Sequence, residues 1–357
     1  MIYHFHGDIM KLYEKIYEDI KNQILSGKYD TDSLLPTEKE LEDQYNVSRI
    51  TVKHAYQLLE EQGYIKRIPG KGTILKPSIQ KSGKQMIGVV MCDFDSSFGD
   101  RLIKSIELTA KEYGYRILLA RSFDNHENES KVLEDFVSLG VSGILIQNCH
   151  GAFTKNLVEL FVREFPVVSV DRYSNKLLIP SVSSDNLGGS MKITEYLLAK
   201  GHRNILFASS DTESTSTLTD RLAGFQQAFM KRNISINPQC LATDLLSPVN
   251  RKEEQAMEDI EKIASKIRAT KCTAIVASEY YIAELCEKAK ETLPEEFSKS
   301  LEIVCFDHPN LMQAKYIFPH VQQDENEIGK LAVDRLVSII DGKESTLRSI
   351  VPSTVIY

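Results

Sequence analysis

The stretch Leu35-Pro-Thr-Glu-Lys-Glu-Leu-Glu-Asp-Gln-Tyr-Asn-Val-Ser-Arg-Ile-Thr-Val52 decides how the chain is read. Thr37 and Glu40 have capping-box spacing, so a short helix starts there and runs to about Tyr45. Asn46-Val-Ser48 is a tight turn, and Ser48 caps a further helix that reaches about Gln62 and stops at Gly63. Val52, Ala55, Leu58 and Leu59 give that helix a core face. Two helices joined by so short a turn form a helix-turn-helix.

The flanks complete the unit. Upstream, Leu12, Ile16, Ile20 and Ile24 recur every four residues, which predicts a helix over Tyr13 to Ser26 ended by Gly27. Downstream, Tyr64–Ile68 and Thr73–Leu75 read as short strands around Pro69-Gly-Lys-Gly72. Three helices and a two-stranded hairpin make a winged helix-turn-helix. The exposed start of the third helix carries Ser48, Arg49, Thr51, Lys53 and His54, where a recognition helix meets base edges and phosphates. Gly70 and Gly72 let the wing backbone approach a phosphate, and Lys71 sits at its tip. A small helical module for protein contact is the plainer alternative; the placement of these donors favours DNA.

Leu12-Tyr13, Leu35–Leu41, Val47-Ser-Arg-Ile-Thr-Val52, Leu59-Glu-Glu-Gln-Gly63 and Gly70-Lys-Gly-Thr73 together resemble the GntR-type winged-helix signature over residues 11 to 76. The resemblance implies DNA contacts at Lys39, Arg49, Thr51, Lys53 and the Gly70–Gly72 wing. Lys39 stands where the family usually has arginine, and a lysine does not form a bidentate fork with guanine.

Lys76-Pro-Ser-Ile-Gln-Lys-Ser-Gly-Lys-Gln85 is polar and without periodicity, and reads as a linker. Beyond it, apolar runs alternate with amphipathic stretches, the pattern of an α/β domain with parallel sheets. Strands are expected at 87–92, 115–120, 143–146, 166–171, 204–208, 274–277 and 303–307. About 270 residues of this kind suggest two lobes. Asp93, Asp171, Glu279 and Asp307 stand at strand C-terminal ends, where open α/β sheets bind ligands. With Arg221 they suit sugar hydroxyls, because charge-assisted hydrogen bonds are strong and directional. Singly, each acidic residue is more readily a loop cap than a ligand contact. Asp211–Thr219 reads as a solvated, hydroxyl-rich loop leading to Arg221.

Gly140-Val-Ser-Gly-Ile-Leu-Ile146, Pro166-Val-Val-Ser-Val-Asp-Arg172, Val182-Ser-Ser-Asp-Asn186, Gly201-His-Arg-Asn-Ile205, Arg221-Leu-Ala-Gly-Phe225, Val304-Cys-Phe-Asp307 and Gln323 resemble, in order, the LacI/GalR-type regulators and their periplasmic-binding-protein-like fold. That resemblance implies effector contacts at Phe98, Asp171, Arg221, Asp307 and Gln323, and three lobe crossovers near 183–186, 320–324 and 342–346. Glu279-Tyr280 replaces the family's common Asn-Asp, which puts a charge and bulk in the site; Tyr281 suits either a sugar face or helix packing. The whole resembles arabinose-repressor-like regulators. It implies domains at 1–76 and 86–357 with a linker at 77–85. It further implies operator DNA and a sugar-like effector as partners, a homodimer and a carbohydrate-gene repressor. A co-repressor mode or a non-sugar effector is the alternative.

Composition bounds the rivals. The chain has 357 residues, 42% hydrophobic and 26% charged, which excludes disordered and low-complexity classes. Six scattered cysteines contain no CxxC pair, so reduced core residues in a cytoplasmic chain are expected and no metal cluster is indicated. The first residues lack the features of a signal peptide, and no apolar run approaches the roughly 20 residues of a membrane span. An exported solute-binding protein is thereby disfavoured. No G-x-S-x-G, H-E-x-x-H or complete phosphate-binding loop occurs, so neither an enzyme nor a cofactor is expected. His4 and His6 alone make a weak metal signal, and His54 and His202 read as structural or surface residues. Net charge is -7, with a pI near 5.7, which taken whole points away from nucleic acid. Residues 45–76 nevertheless hold Arg49, Lys53, Lys66, Arg67, Lys71 and Lys76 against Glu60 and Glu61, a local excess of basic charge.

Overall fold

The computed structural model describes the chain apart from residues 1–11, 26–27, 30–33, 69–71, 76–85, 150–152, 175, 212–214, 247–252, 310–311 and 344–345. It separates into two compact units, the second beginning at Ile87. The first unit contains helices α1 (Leu12–Leu25), α2 (Glu38–Tyr45) and α3 (Arg49–Glu61), then strands β1 (Ile65–Ile68) and β2 (Gly72–Leu75) paired antiparallel. Ile16, Ile20 and Ile24 of α1 meet Leu41 of α2 and Val52, Ala55, Tyr56 and Leu59 of α3 in one core. The capping box forms: Thr37 Oγ1 accepts from Glu40 N, and Glu40 Oε2 accepts from Thr37 N at 2.6 Å. Asn46 takes a left-handed conformation between α2 and α3, which asparagine tolerates better than most residues. The Leu35 amide donates to Thr73 O, so the entry to α2 flanks the hairpin. The Gly27 stop, the Gly70–Lys71 wing tip, His4, His6 and the 77–85 linker lie outside the described residues.

The second unit holds two six-stranded sheets. The first has the order β13-β7-β6-β5-β3-β4, formed by Arg348–Val351, Ser181–Ser184, Val167–Val170, Ile144–Ile146, Met86–Met91 and Arg116–Arg121. The second has the order β14-β12-β11-β10-β8-β9, formed by Thr354–Ile356, His320–Gln322, Glu302–Phe306, Ala274–Ala277, Ile205–Ser210 and Leu241–Leu245. Adjacent strands run parallel from β3 through β5, β6 and β7 to β13. In the second sheet only β14 is antiparallel to its neighbour.

Helices α4 (Asp100–Glu112) and α12 (Glu325–Ile340) cover the first sheet; Leu102, Ile106, Ile328 and Leu336 meet Ile87, Val89 and Val168 there. α5 (His126–Ser138) and α6 (Lys155–Val162) complete this lobe. The second sheet has two apolar faces. One packs α7 (Asn186–Ala199) and α8 (Ser216–Lys231), the other α9 (Glu253–Thr270) and α10 (Tyr280–Glu291). α7 and α8 approach closely because Gly224 lacks a side chain; a Cβ there would lie 2.2 Å from Leu187 O. The short α11 (Glu295–Ser298) follows.

The chain leaves the first sheet after β7 at Asp185, returns after β12 through Gln323-Asp324, and crosses last between β13 and β14 at Pro352-Ser353. The last crossing corrects the expectation of 342–346. That segment joins α12 to β13 within one lobe, because β13 first completes the sheet edge beside β7. The loop expected over Asp211–Thr219 is also corrected. Thr215 caps α8 by accepting from Leu218 N, so Ser216–Thr219 is helical, and Thr215 and Thr217 are buried.

Candidate functional site

In the first unit Ser48, Arg49, Thr51 and Lys53, which are expected to meet DNA, lie at the cap and first turns of α3. Ser48 caps the helix: its Oγ accepts from Thr51 N and lies 2.9 Å from Thr51 Oγ1, so both hydroxyls are held at the helix start. An N-terminus held this way presents a partial positive charge suited to a phosphate. Arg49 is 76% exposed, and its Nε donates to Glu38 Oε2 at 3.0 Å. Glu38 also contacts Arg67 at 3.5 Å, and so ties α2 to both α3 and the wing strand. Lys39 and Lys53 are exposed. Gly72 has φ +111 and pairs with Ile68 at the base of the wing; a Cβ would lie 2.9 Å from Leu34 Cδ2. The backbone conformation is what requires glycine at 72, since the exposed Leu34 side chain can move aside. Gly70 and Lys71 lie outside the described residues. His54 stacks against Tyr13 with ring centroids 4.1 Å apart, a packing contact.

In the second unit the strand ends of the two lobes enclose a cavity of about 290 Å³. All six sequence-derived residues, Phe98, Asp171, Arg221, Glu279, Asp307 and Gln323, line it. Asp171 follows β6 and Asp307 follows β11, and both are left-handed, with φ of 65° and 63°. A non-glycine residue there carries about 1–2 kcal/mol of strain. Each turn is held by an amide. Gln147 Nε2 donates to Asp171 Oδ2, and Gln323 Nε2 donates to Asp307 Oδ1, both at 2.8 Å. Gln147 in turn accepts from the Cys92 amide at 3.2 Å, which fixes its orientation.

Arg221 is 4% exposed on α8. Its Nε donates to Asn186 Oδ1 at 2.8 Å and its Nη1 to Ser278 O at 2.6 Å. Its Nη2 lies 3.9 Å from Asp307 Oδ2, and the guanidinium stacks 4.0 Å from the Phe306 ring centroid. Burial pushes the Asp307 carboxyl up to about 7, opposed by Arg221 and the Gln323 amide. Gln323 lines the cavity, and its Oε1 is buried with no hydrogen-bond partner among the described residues. The Phe98 loop is tied to the Gln323 crossing by Glu325, whose carboxylate accepts from the Gly99 and Leu102 amides and from Arg101 Nε. The chemistry of such a lining suits a polar molecule of sugar size: carboxylates and amides can address hydroxyls, and rings can address carbon faces.

Sequence reasoning missed other lining groups. Arg172 donates to Asn148 O and lies 3.2 Å from Cys92 Sγ. Thr215 and Thr217 also line the cavity; Tyr281, which the sequence left open between a sugar face and helix packing, lines it too. A Ser/Thr cap three residues before Leu218, ahead of the Phe225–Phe229 stripe, was the available signal for Thr215. Asp93 lines the cavity but pairs with Arg121 at 3.2 Å. Tyr280 is a buried residue whose hydroxyl donates to Tyr316 O and accepts from Tyr316 N. His202 is structural, bridging Thr273 and Glu302.

Cys92, Asp124 and Cys149 bring their donor atoms within 4.8 Å of one another, but the Arg172 guanidinium against Cys92 opposes a cation there. All six cysteines are free and buried. Among the described residues no helix is long and apolar enough to cross a membrane.

The comparisons with known proteins agree with this division. Residues 12–75 match bacterial regulatory proteins of the gntR family. Residues 84–243 match periplasmic binding proteins and the sugar binding domain of the LacI family, and 194–357 a periplasmic binding protein-like domain. The chain is 26% identical to the arabinose metabolism transcriptional repressor of Geobacillus stearothermophilus, covering 92% of this chain and 91% of that one. A putative ribose operon repressor from Burkholderia thailandensis superposes with a TM-score of 0.66 at 22% identity, over 76% of this chain and 99% of that one. A cellobiose complex of the transcriptional regulator CelR has a TM-score of 0.66 at 16% identity, over 98% and 99%. At these identities the two solved structures speak for the fold.

Proposed function

For a chain that joins a GntR-type winged helix to a LacI-type periplasmic-binding-protein-like domain, we propose a ligand-responsive transcriptional repressor of carbohydrate-utilisation genes. The observation that carries this reading is the pairing, in one chain, of an exposed cationic helix start with a buried polar cleft between two lobes. The name of the Geobacillus relative and the cellobiose in the CelR complex support it.

In this reading Lys39, Ser48, Arg49, Thr51, Lys53 and the Gly70-Lys71-Gly72 wing hold operator DNA. Phe98, Asp171, Arg221, Glu279, Asp307 and Gln323 hold a sugar or sugar derivative. Two protomers pair through their second units, so that two winged helices address two half-sites. The ligand favours one lobe arrangement over another and thereby changes operator affinity by differential binding. Relief of repression is the sign proposed. The chain acts in the cytoplasm and without catalysis.

In vitro selection of duplexes by the full chain tests the reader. One preferred sequence with two half-sites is expected. Arg49→Ala should weaken binding to it by about tenfold or more, since a base or key phosphate contact contributes roughly 1–3 kcal/mol. Selection of no preferred duplex contradicts the reading.

A further inference from the structure

Ile50, the second residue of α3, is 80% exposed, whereas Val52, Ala55 and Leu59 of the same helix are fully buried. On the exposed surface Lys53 lies three positions on and Arg49, which donates to Glu38, four positions before Lys53; His54, four positions on from Ile50, is held against Tyr13. A branched aliphatic residue flanked by Arg49, Thr51 and Lys53 has a definite complement in the DNA major groove. There the thymine 5-methyl is the apolar group that base edges present, and phosphates surround it.

We propose that Ile50 reads a thymine by packing on its 5-methyl group, so that each operator half-site carries a thymine specified by this side chain. This rests on the reading of α3 as the DNA reader and adds to it a named base and a named atom. Self-association through Ile50 is disfavoured, because a second copy would set Arg49 and Lys53 against their own counterparts. Like charges brought together across an interface oppose it.

The test replaces thymine by uracil, one position at a time, in the duplex selected by the full chain; this removes only the methyl group. One position per half-site is expected at which the replacement weakens wild-type binding about fourfold, the equivalent of roughly 0.8 kcal/mol for one buried methyl. Ile50→Ala should bind the thymine duplex more weakly by a comparable or larger factor and be indifferent to the methyl at that position. Ile50→Val should retain part of the discrimination. Thermal unfolding of Ile50→Ala should match wild type, because the side chain touches no core. Equal thymine-to-uracil ratios for wild type and Ile50→Ala at every position overturn the inference while leaving the reader intact. So does a lower oligomeric state of Ile50→Ala with its methyl dependence preserved. Failure to select any duplex overturns the reader itself, and this inference with it.

Discussion

Asp307 is 5% exposed at the end of β11, where burial raises its pKa to about 7 despite the nearby Arg221 and Gln323. An unfolded aspartate titrates near 3.9, so between roughly pH 4 and pH 7 the folded protein holds a proton that the unfolded chain has released. Stability from this group is therefore fully present at low pH and is lost as pH rises through about 7. Asp307→Asn should flatten that slope. Its ligand-free melting temperature should exceed wild type at about pH 8 by more than at about pH 5, and parallel melting curves would refute the assignment. Residues of this kind were legible in the sequence because the chemistry of a strand end is local: Asp171, Glu279 and Asp307 each follow an apolar run. Gln147 and Arg172 were not, since their roles appear only when β5 is seen between β3 and β6 and Arg172 turns back on Cys92.

At the scale of elements, the winged helix was the most legible part. Its helix starts and stops are encoded within three or four residues by Thr37, Glu40, Asn46, Ser48 and Gly63. The long strands were legible as apolar runs. Strands β7, β9, β12, β13 and β14 were not placed: they span three to five residues each, and β7 finds β13 only across the register Ser181↔Arg348. That distant pairing also moved the last crossover to Pro352-Ser353. It places Arg348 so that its guanidinium lies 3.3 Å from the Tyr173 ring centroid and 3.6 Å from Asp220 Oδ2. The Tyr173 hydroxyl donates to Asp220 Oδ1 at 2.9 Å, and the Tyr173 amide donates to Ser216 Oγ at 2.9 Å. Tyr173 and Arg348 belong to one lobe and Asp220 to the other, one residue before Arg221, so this contact joins the two lobes beside Arg221. Tyr173→Phe and Asp220→Ala should each shift the ligand-free lobes towards an open state and weaken effector binding about fivefold. A hydrogen bond contributes roughly 1 kcal/mol, and a closed state less populated lowers apparent affinity. The double variant should cost less than the sum, because both changes remove the Tyr173–Asp220 bond, and only Asp220→Ala also loses the Arg348 pair at 3.6 Å. Unchanged scattering radii and affinities would show that the contact is incidental.

For the whole molecule, the acidic net charge of -7 hides two different surfaces. Basic residues concentrate in 45–76, while residues 81–357 carry the bulk of the negative excess. An acidic remainder limits nonspecific adhesion to DNA and leaves binding to the reader face. In the proposed function the two units divide the labour: one recognises a duplex, the other a small polar molecule. Linkage requires that a ligand altering operator affinity be itself bound with altered affinity when operator is present. The most direct test is operator affinity by fluorescence anisotropy, measured against a panel of pentoses, hexoses, sugar acids and sugar phosphates. Wild type and Arg221→Ala are compared throughout. At least one compound should change the wild-type Kd by about tenfold, a coupling of roughly 1.4 kcal/mol, while Arg221→Ala binds operator as tightly as wild type does without ligand and ignores the compound. A panel in which no compound moves the wild-type Kd, or an Arg221→Ala variant that responds as wild type does, would contradict it.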